Sequence, residues 1–197
     1  MLFALAACLA DAPATYHVTF ATDVPGHSDP IVVEVTRSLA PLGADHFYAL
    51  VQDGFYNEAA FFRVVPNFVV QFGIAGTPAE NVKWKKPIQD DPVVGSNVKG
   101  TITYATAGPN TRTSQLFINY KDNTNLDSQG FAPFGKVVSG MDTALAIYNP
   151  TPGSSGGINQ NSYESKGNTW LKEQYPKANF ITNATITEGR WKGQVVG

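Results

Sequence analysis

The chain has 197 residues, 43% of them apolar, enough to fill one sizeable core. Formal net charge is −2 and the Lys and Arg residues are scattered, with no basic run or stripe of the kind a nucleic-acid partner needs. A single cysteine, Cys8, excludes an intrachain disulfide, and three scattered histidines (His17, His27, His46) without clustered carboxylates give no metal-ligand spacing, so no metal or cofactor is implied.

Residues 2–10, LFALAACLA, form an apolar, Ala-rich run too short to span a membrane. It is similar to the end of a secretory signal peptide's hydrophobic region, although the usual preceding basic residues are missing. Leu5-Ala-Ala-Cys8 also resembles a bacterial lipobox, which would lipidate Cys8. The expectation is an exported protein, periplasmic or secreted, with residues 1–10 a leader; the alternative is a cytoplasmic protein with an irregular extension. Residues 11–197 read as one domain, with no repeat and no coiled coil.

The rest of the chain reads as short strands punctuated by 18 Gly and 13 Pro. Residues 15–23 (TYHVTFATD) and 31–37 (IVVEVTR) form a hairpin about a Pro-Gly turn. Residues 41–53 change period: Leu42, His46, Phe47, Leu50 and Val51 recur at helical spacing, with Pro41 at the start and Gly54 past the end. Residues 61–65 and 68–73 read as strands joined tightly at Pro66-Asn67. Counting by two places Arg63 on one face with Phe61 and Val65. A guanidinium near apolar groups needs partners, so Arg63 and Gln71 stand out in an otherwise apolar stretch.

Residues 75–97 read as a long irregular loop, with Trp84 as its partly buried anchor. Residues 100–105 alternate, Ile102 and Tyr104 on one face and Thr101 and Thr103 on the other. Residues 115–120 form the next strand. Between them lies a loop of small and polar residues, AGPNTRTS. Residues 126–133 read as a loop, 134–138 as a strand, 139–148 as a helix, and 149–161 as flexible. Residues 170–175 form a short helix stopped by Pro176, and 183–188 a closing strand. Eight short strands and two principal helices fit a mostly β fold, a closed eight-stranded antiparallel barrel capped at both ends.

Three segments carry a family resemblance. FFRVVPNFVVQFG (61–73) is similar to the F-x-R-V-[IV]-P-x-F-[MV]-[VC]-Q-x-G segment of the cyclophilins. ATAGPNTRTSQLFI (105–118) is similar to their A-[NT]-A-G-P-[ND]-T-x-x-[ST]-Q-[FL]-F-I segment, and FGKVVSGMD (134–142) to the downstream F-G-[KR]-V-x-x-G-M-D run. Their order is kept, and the resemblance covers roughly residues 16–186. It implies a peptidyl-prolyl cis–trans isomerase that binds proline-containing peptides and unfolded proteins and needs no cofactor; a monomer is the default expectation for a closed barrel without an obvious apolar patch. Residues 161–181 resemble an extension found in a subset of the family.

The resemblance also implies roles. Arg63 would be the catalytic donor, with Phe68 and Gln71 beside it and Gln71 orienting the guanidinium. Phe68, Val69, Phe117 and Leu126 would line the proline pocket. Ala105, Thr106 and Ala107 would form the ledge for residues preceding proline, and Gln115 would contact the same backbone. Phe131, or Gly130 one place earlier, would stand where the family often has His or Tyr. Val69 replaces the frequent Met, Thr106 the usual Asn, and Asn125 the Trp that favours cyclosporin, so weak cyclosporin binding is expected. A binding module or holdase on the same fold is the alternative function. A hydrolase is not supported, since no nucleophile–His–carboxylate arrangement is found.

Overall fold

The computed structural model describes residues 12–188; residues 1–10, read above as a leader, and with them Cys8, lie outside the described residues. In chain order the elements are β1 (Thr15–Thr22), β2 (Ile31–Thr36), α1 (Pro41–Gln52), β3 (Ala59–Ala60), β4 (Arg63–Val65), β5 (Val69–Phe72) and α2 (Pro78–Lys83). There follow β6 (Thr101–Tyr104), β7 (Leu116–Asn119), β8 (Pro133–Ser139), α3 (Met141–Leu145), α4 (Gln160–Gln174) and β9 (Phe180–Glu188). One antiparallel sheet takes the order β3-β9-β1-β2-β8-β6-β7-β5-β4. No helix of the described residues is long and apolar enough to cross a membrane.

The sheet has nine strands, not eight, and its hydrogen-bonded ladder is not continuous round the barrel. Both free ends, β3 and β4, belong to one extended run separated only by Phe61 and Phe62. Two residues of chain span about 11 Å at most from Ala60 to Arg63, so the ends are held together covalently. The ladder breaks there because the run changes partners. Ala59 and Ala60 pair with β9, whereas Arg63 to Val65 pair with β5. Phe61 still donates its N–H to the Asn179 carbonyl (3.0 Å), and the Phe62 carbonyl accepts from Ile158 N–H (2.8 Å).

The same break corrects the face assigned to Arg63. Phe61 is buried in the barrel core and Phe62 in a second cluster outside it, yet Val64 again faces the core. Simple alternation from Phe61 therefore fails, and Arg63 shares the outer face with Val65 alone. The β4–β5 turn closes through Phe68 N–H to Val65 C=O (3.0 Å). Pro66 presets the first turn position and Asn67, at φ 58, tolerates the left-handed second one.

The interior is a set of interlocking rings: Phe20, Phe47, Tyr56, Phe61, Phe72, Tyr104 and Phe134, mostly edge-on or tilted, with centroids between 5.2 and 6.2 Å. Such pairs add about 0.5–1.5 kcal/mol each beyond burial. Helix α1 closes one end. Its first turn has no cap from Ala40; the Asp91 carboxylate accepts from Leu42 N–H (3.0 Å) and Gly43 N–H (2.8 Å) instead.

Three other elements differ from expectation. The 75–97 loop contains α2, with Trp84 partly buried against the core and its Nε1–H donating to Asp53 (2.7 Å). Residues 124–129 form a 3-10 turn. The C-terminal helix begins ten residues earlier than the apolar pattern suggests, at Gln160, with Asn159 Oδ1 accepting from Ser162 N–H (2.9 Å) as its cap. It kinks at Gly167 (φ 67), where a Cβ would stand 2.5 Å from the Gly76 carbonyl oxygen.

This helix packs Tyr163 and Leu171 on Ala60, Phe62, Ile74 and Phe180, forming the second core. The Tyr163 hydroxyl accepts from Ala60 N–H (3.0 Å) and donates to Asn168 Oδ1 (3.1 Å). Tyr163→Phe leaves the buried Ala60 N–H unpaired. The expected result is a loss of about 1–3 kcal/mol in urea denaturation with the far-UV spectrum unchanged.

Candidate active site

The site lies on the outer face of the barrel, where four strands place one residue each in a row. Arg63 on β4 is opposite Gln71 on β5, Gln71 is opposite Phe117 on β7, and Phe117 is opposite Thr103 on β6. Directly opposed residues stand about 4.5–5.5 Å apart at Cβ. Strand register alone therefore brings a cation, an amide and an aromatic ring side by side.

Round this row lies a cavity of about 310 Å³, lined by Arg63, Phe68, Val69, Gln71, Ala105, Thr106, Phe117, Leu126, Gln129 and Phe131. Its floor is an apolar cluster of Val69, Phe117 and Leu126, with Phe68, Ala105 and Phe131 packed on it. Phe131 meets Phe117 edge-on at 5.7 Å. Gly130 ends the 3-10 turn at φ 87 and does not line the cavity, so Phe131 takes the position left open between the two.

Arg63 sits at the rim. Its Nε–H donates to the Ser155 carbonyl (2.6 Å) and its Nη1–H to Gln71 Oε1 (3.1 Å); Cζ is 6.0 Å from the Phe68 ring centre. Nη2 has no hydrogen-bond partner among the described residues and is the free end of the guanidinium. Burial pulls the Arg63 pKa below its ordinary value, but an arginine keeps its proton in proteins. Gln71 is buried and passes its Nε2–H to Gln115 Oε1 (2.8 Å).

Beside this cavity is a second of about 300 Å³, which shares Gln71, Ala105 and Thr106 and adds Ala107, Thr111, Thr113, Gln115 and Gln160. Its wall is the 105–114 loop. The Thr106 and Thr111 hydroxyls are 2.8 Å apart, and Thr111 accepts from Ala107 N–H (2.9 Å). From behind, Asp90 and Asn110 exchange reciprocal bonds of 2.9 and 2.7 Å, and the buried Arg112 pairs with the buried Asp91 (3.1 Å). A third chamber of about 660 Å³ continues past Gln115, walled by α2 and α4.

Nine of the eleven residues expected from the sequence thus line one cavity, and the other two, Ala107 and Gln115, line the adjoining one. Sequence reasoning missed Gln129, Thr111, Thr113, Gln160 and the Ser155 carbonyl. Thr111 and Thr113 lay within the quoted loop and were open to it. Ser155 acts through its backbone, and Gln160 lies in a stretch read as flexible.

Residues 17–165 match the family model described as cyclophilin type peptidyl-prolyl cis-trans isomerase/CLD. The chain belongs to the cyclophilin family. The peptidyl-prolyl cis-trans isomerase of Acinetobacter baylyi is 39% identical over 137 residues, 66% of this chain and 72% of that one. Peptidyl-prolyl cis-trans isomerase A of Dickeya dadantii is 40% identical over 114 residues, 55% of this chain and 60% of that one. A Cryptosporidium parvum cyclophilin solved in the presence of the dipeptide Ala-Pro shares the fold at TM-score 0.63 and 22% identity, over 88% of this chain and 99% of that one.

The reaction of this cyclophilin is cis–trans isomerisation of peptidyl-prolyl bonds, and neither the cavity nor the ledge contains a His, Cys, Asp, Glu or Lys. Behind the ledge lies His46, ring to ring with Trp84 at 5.5 Å; burial pushes its pKa below the ordinary value. No protonation state at the site changes near neutrality. The expected kcat/KM is flat between about pH 6.5 and 9 in an exchange-NMR assay, within about twofold. A bell-shaped profile contradicts this account.

Proposed function

We propose that Arg63 is the catalytic donor of this isomerase and that the floor of Val69, Phe117 and Leu126 receives the proline ring. The observation that carries the reading is the guanidinium at the rim of an apolar cavity, fixed through Nε and Nη1 with Nη2 unpartnered.

The chemistry needs little else. Rotation about a peptide bond meets a barrier of about 18–20 kcal/mol because resonance gives C–N double-bond character. X–Pro bonds populate both isomers and exchange unaided over about tens to hundreds of seconds. In the twisted state the prolyl nitrogen recovers a lone pair. A donor aimed at that nitrogen binds the twisted form more tightly than either planar one, which is the condition for acceleration. No nucleophile and no general base take part. An acceleration of a thousandfold to a millionfold asks about 4–8 kcal/mol of the site.

The ledge supports the same substrate class. An extended peptide with its proline over Phe117 runs past Ala105, Thr106 and Ala107 towards Gln115, along the two adjoining cavities. The dipeptide used with the Cryptosporidium protein fits that class. The clients we infer are proline-containing segments of unfolded chains, met in an exported compartment if residues 2–10 act as a leader, with the protein working as a monomer.

The deciding experiment follows isomerisation of an Ala-Pro-Phe peptide by exchange NMR. Wild type accelerates exchange, and folded Arg63→Ala loses about a hundredfold or more, equivalent to about 2.7 kcal/mol. A folded wild type that binds the peptide without acceleration makes it a binding module or holdase instead.

Cyclosporin gives a second test. Asn125 is exposed, next to the pocket residue Leu126, and offers no indole. Calorimetric titration is expected to show weak cyclosporin binding, strengthened about tenfold or more in Asn125→Trp by the added aromatic contact. Low-nanomolar binding by wild type contradicts it.

A further inference from the structure

The amide chain that starts at Arg63 does not stop at Gln115. Gln115 donates its Nε2–H to Gln160 Oε1 at 2.9 Å, and Gln160 is the first residue of α4. The polarity of the chain follows from its head. A guanidinium only donates, so Gln71 must turn its oxygen to Arg63. Its NH₂ then faces Gln115, which must turn its oxygen back and its own NH₂ forward. Every side-chain amide has one accepting and one donating end, so the last NH₂ needs an acceptor. Gln160 Oε1 supplies it.

The segment carrying Gln160 also grips the head. Ser155 gives its carbonyl to Arg63 Nε–H (2.6 Å), and Ile158 N–H binds the Phe62 carbonyl (2.8 Å). Between them Gly157, at φ 76, lies so close that a Cβ would stand 2.6 Å from Arg63 Cβ and 2.7 Å from the Phe62 carbonyl oxygen. The Asn159 cap on Ser162 N–H (2.9 Å) fixes the start of α4. One short strap therefore touches both ends of the relay: the cation through Ser155 and the terminal amide through Gln160.

We propose that residues 155–160 are a positioning strap for Arg63, and that Gln160 is the terminal acceptor that keeps Gln115 and Gln71 in register with the guanidinium. The proposal rests on the reading of Arg63 as the catalytic donor. Gln160 touches no reacting atom; it acts through Gln115 and Gln71. Its requirement is for an acceptor, not for bulk. Glutamate meets that requirement, methionine removes it, and lysine inverts it by setting a donor against the Gln115 NH₂. The inversion leaves either two donors facing each other or two amides flipped, the second flip turning an NH₂ towards Arg63.

The test is a series of Gln160→Glu, Gln160→Met and Gln160→Lys, assayed by exchange NMR at high salt so that added charge alone does not decide. Thermal melting confirms that each is folded. The expected kcat is within about twofold of wild type for Glu, about threefold lower for Met and about tenfold lower for Lys, with KM moving less than kcat. In ¹H–¹⁵N spectra the side-chain amide signals of Gln71 and Gln115 and the Arg63 Nε–H signal shift in Gln160→Lys and hold near wild type in Gln160→Glu. Equal loss in the Glu and Lys variants overturns the proposal, as does an unchanged spectrum and kcat in the Lys variant. The spectra report the relay without reference to activity. An active Arg63→Ala removes the catalytic reading, whereas silent amide signals remove the strap.

Discussion

The molecule depends on one run of chain serving both ends of its sheet. Residues 59–65 give their first two positions to β9 and their last three to β5. A strand that changes partners must also change phase, and the change occurs at Phe61 and Phe62, whose rings go to different cores. Had the alternation continued unbroken, Arg63 would point with Phe61 into a barrel packed with aromatic rings, where an unpaired charge is prohibitive. The phase change instead sets it on the outer face, opposite Gln71. Closure of the barrel and placement of the cation are thus two consequences of the same two residues. The second core follows from it too, because Phe62 turned outward needs cover, and α4 provides it with Tyr163 and Leu171.

The ledge is held by a different device. Its loop has small side chains and little apolar surface of its own to bury. It is fixed from behind by Arg112, which pairs with the buried Asp91 and also donates to the Gln89 carbonyl. Asp91 at the same time caps α1 through two backbone N–H groups. A buried ion pair of this kind contributes little net stability, but removing one partner costs about 3–5 kcal/mol because the other charge is stranded. Its value here lies in specificity of position. The loop proposed above to meet a substrate backbone is tied to a helix terminus and to the core, so its geometry is set before any peptide arrives. Donors fixed in advance reorganise little as the amide twists, which is where such sites gain their advantage over water.

How much of this was legible in the sequence follows the range of the forces involved. Strands such as Ile31–Thr36 and Thr101–Tyr104 announce themselves by local alternation, and α1 by helical periodicity and its leading proline. Arg63 and Gln71 were visible as polar interruptions of an apolar segment. The phase change at Phe61–Phe62 was not, because both residues are equally apolar and only their distant partners, Asn179 and Ile158, separate them. The two-residue strand Ala59–Ala60 is too short to carry a pattern. Helix α4 was underread because its first turns are polar and contain Gly167; its stability comes from a cap and from tertiary packing on Phe62. Ser155 contributes a carbonyl, which every residue possesses, and Gln160 became legible only once α4 brought it within hydrogen-bonding reach of Gln115.

The site also shows why this reaction suits the outside of a barrel. The interior is filled by rings and offers no room for a peptide. The outer face offers a flat row of opposed residues whose spacing is fixed by the ladder, so a cation, an amide and an apolar platform need no loop to align them. What the face lacks is shelter from water, and the short elements supply it. The 3-10 turn raises Leu126 and places Phe131 against Phe117, while the 155–160 segment covers one edge of the guanidinium and leaves Nη2 open. In the reading proposed above the resulting asymmetry is chemical: apolar under the proline ring, where nothing changes charge, and hydrogen-bond donating where the twisted amide nitrogen gains its lone pair. A general acid or base would add nothing, since no proton moves in the rotation. Among the described residues, no His, Cys, Asp, Glu or Lys lines the two cavities beside Arg63, in keeping with what the reaction requires.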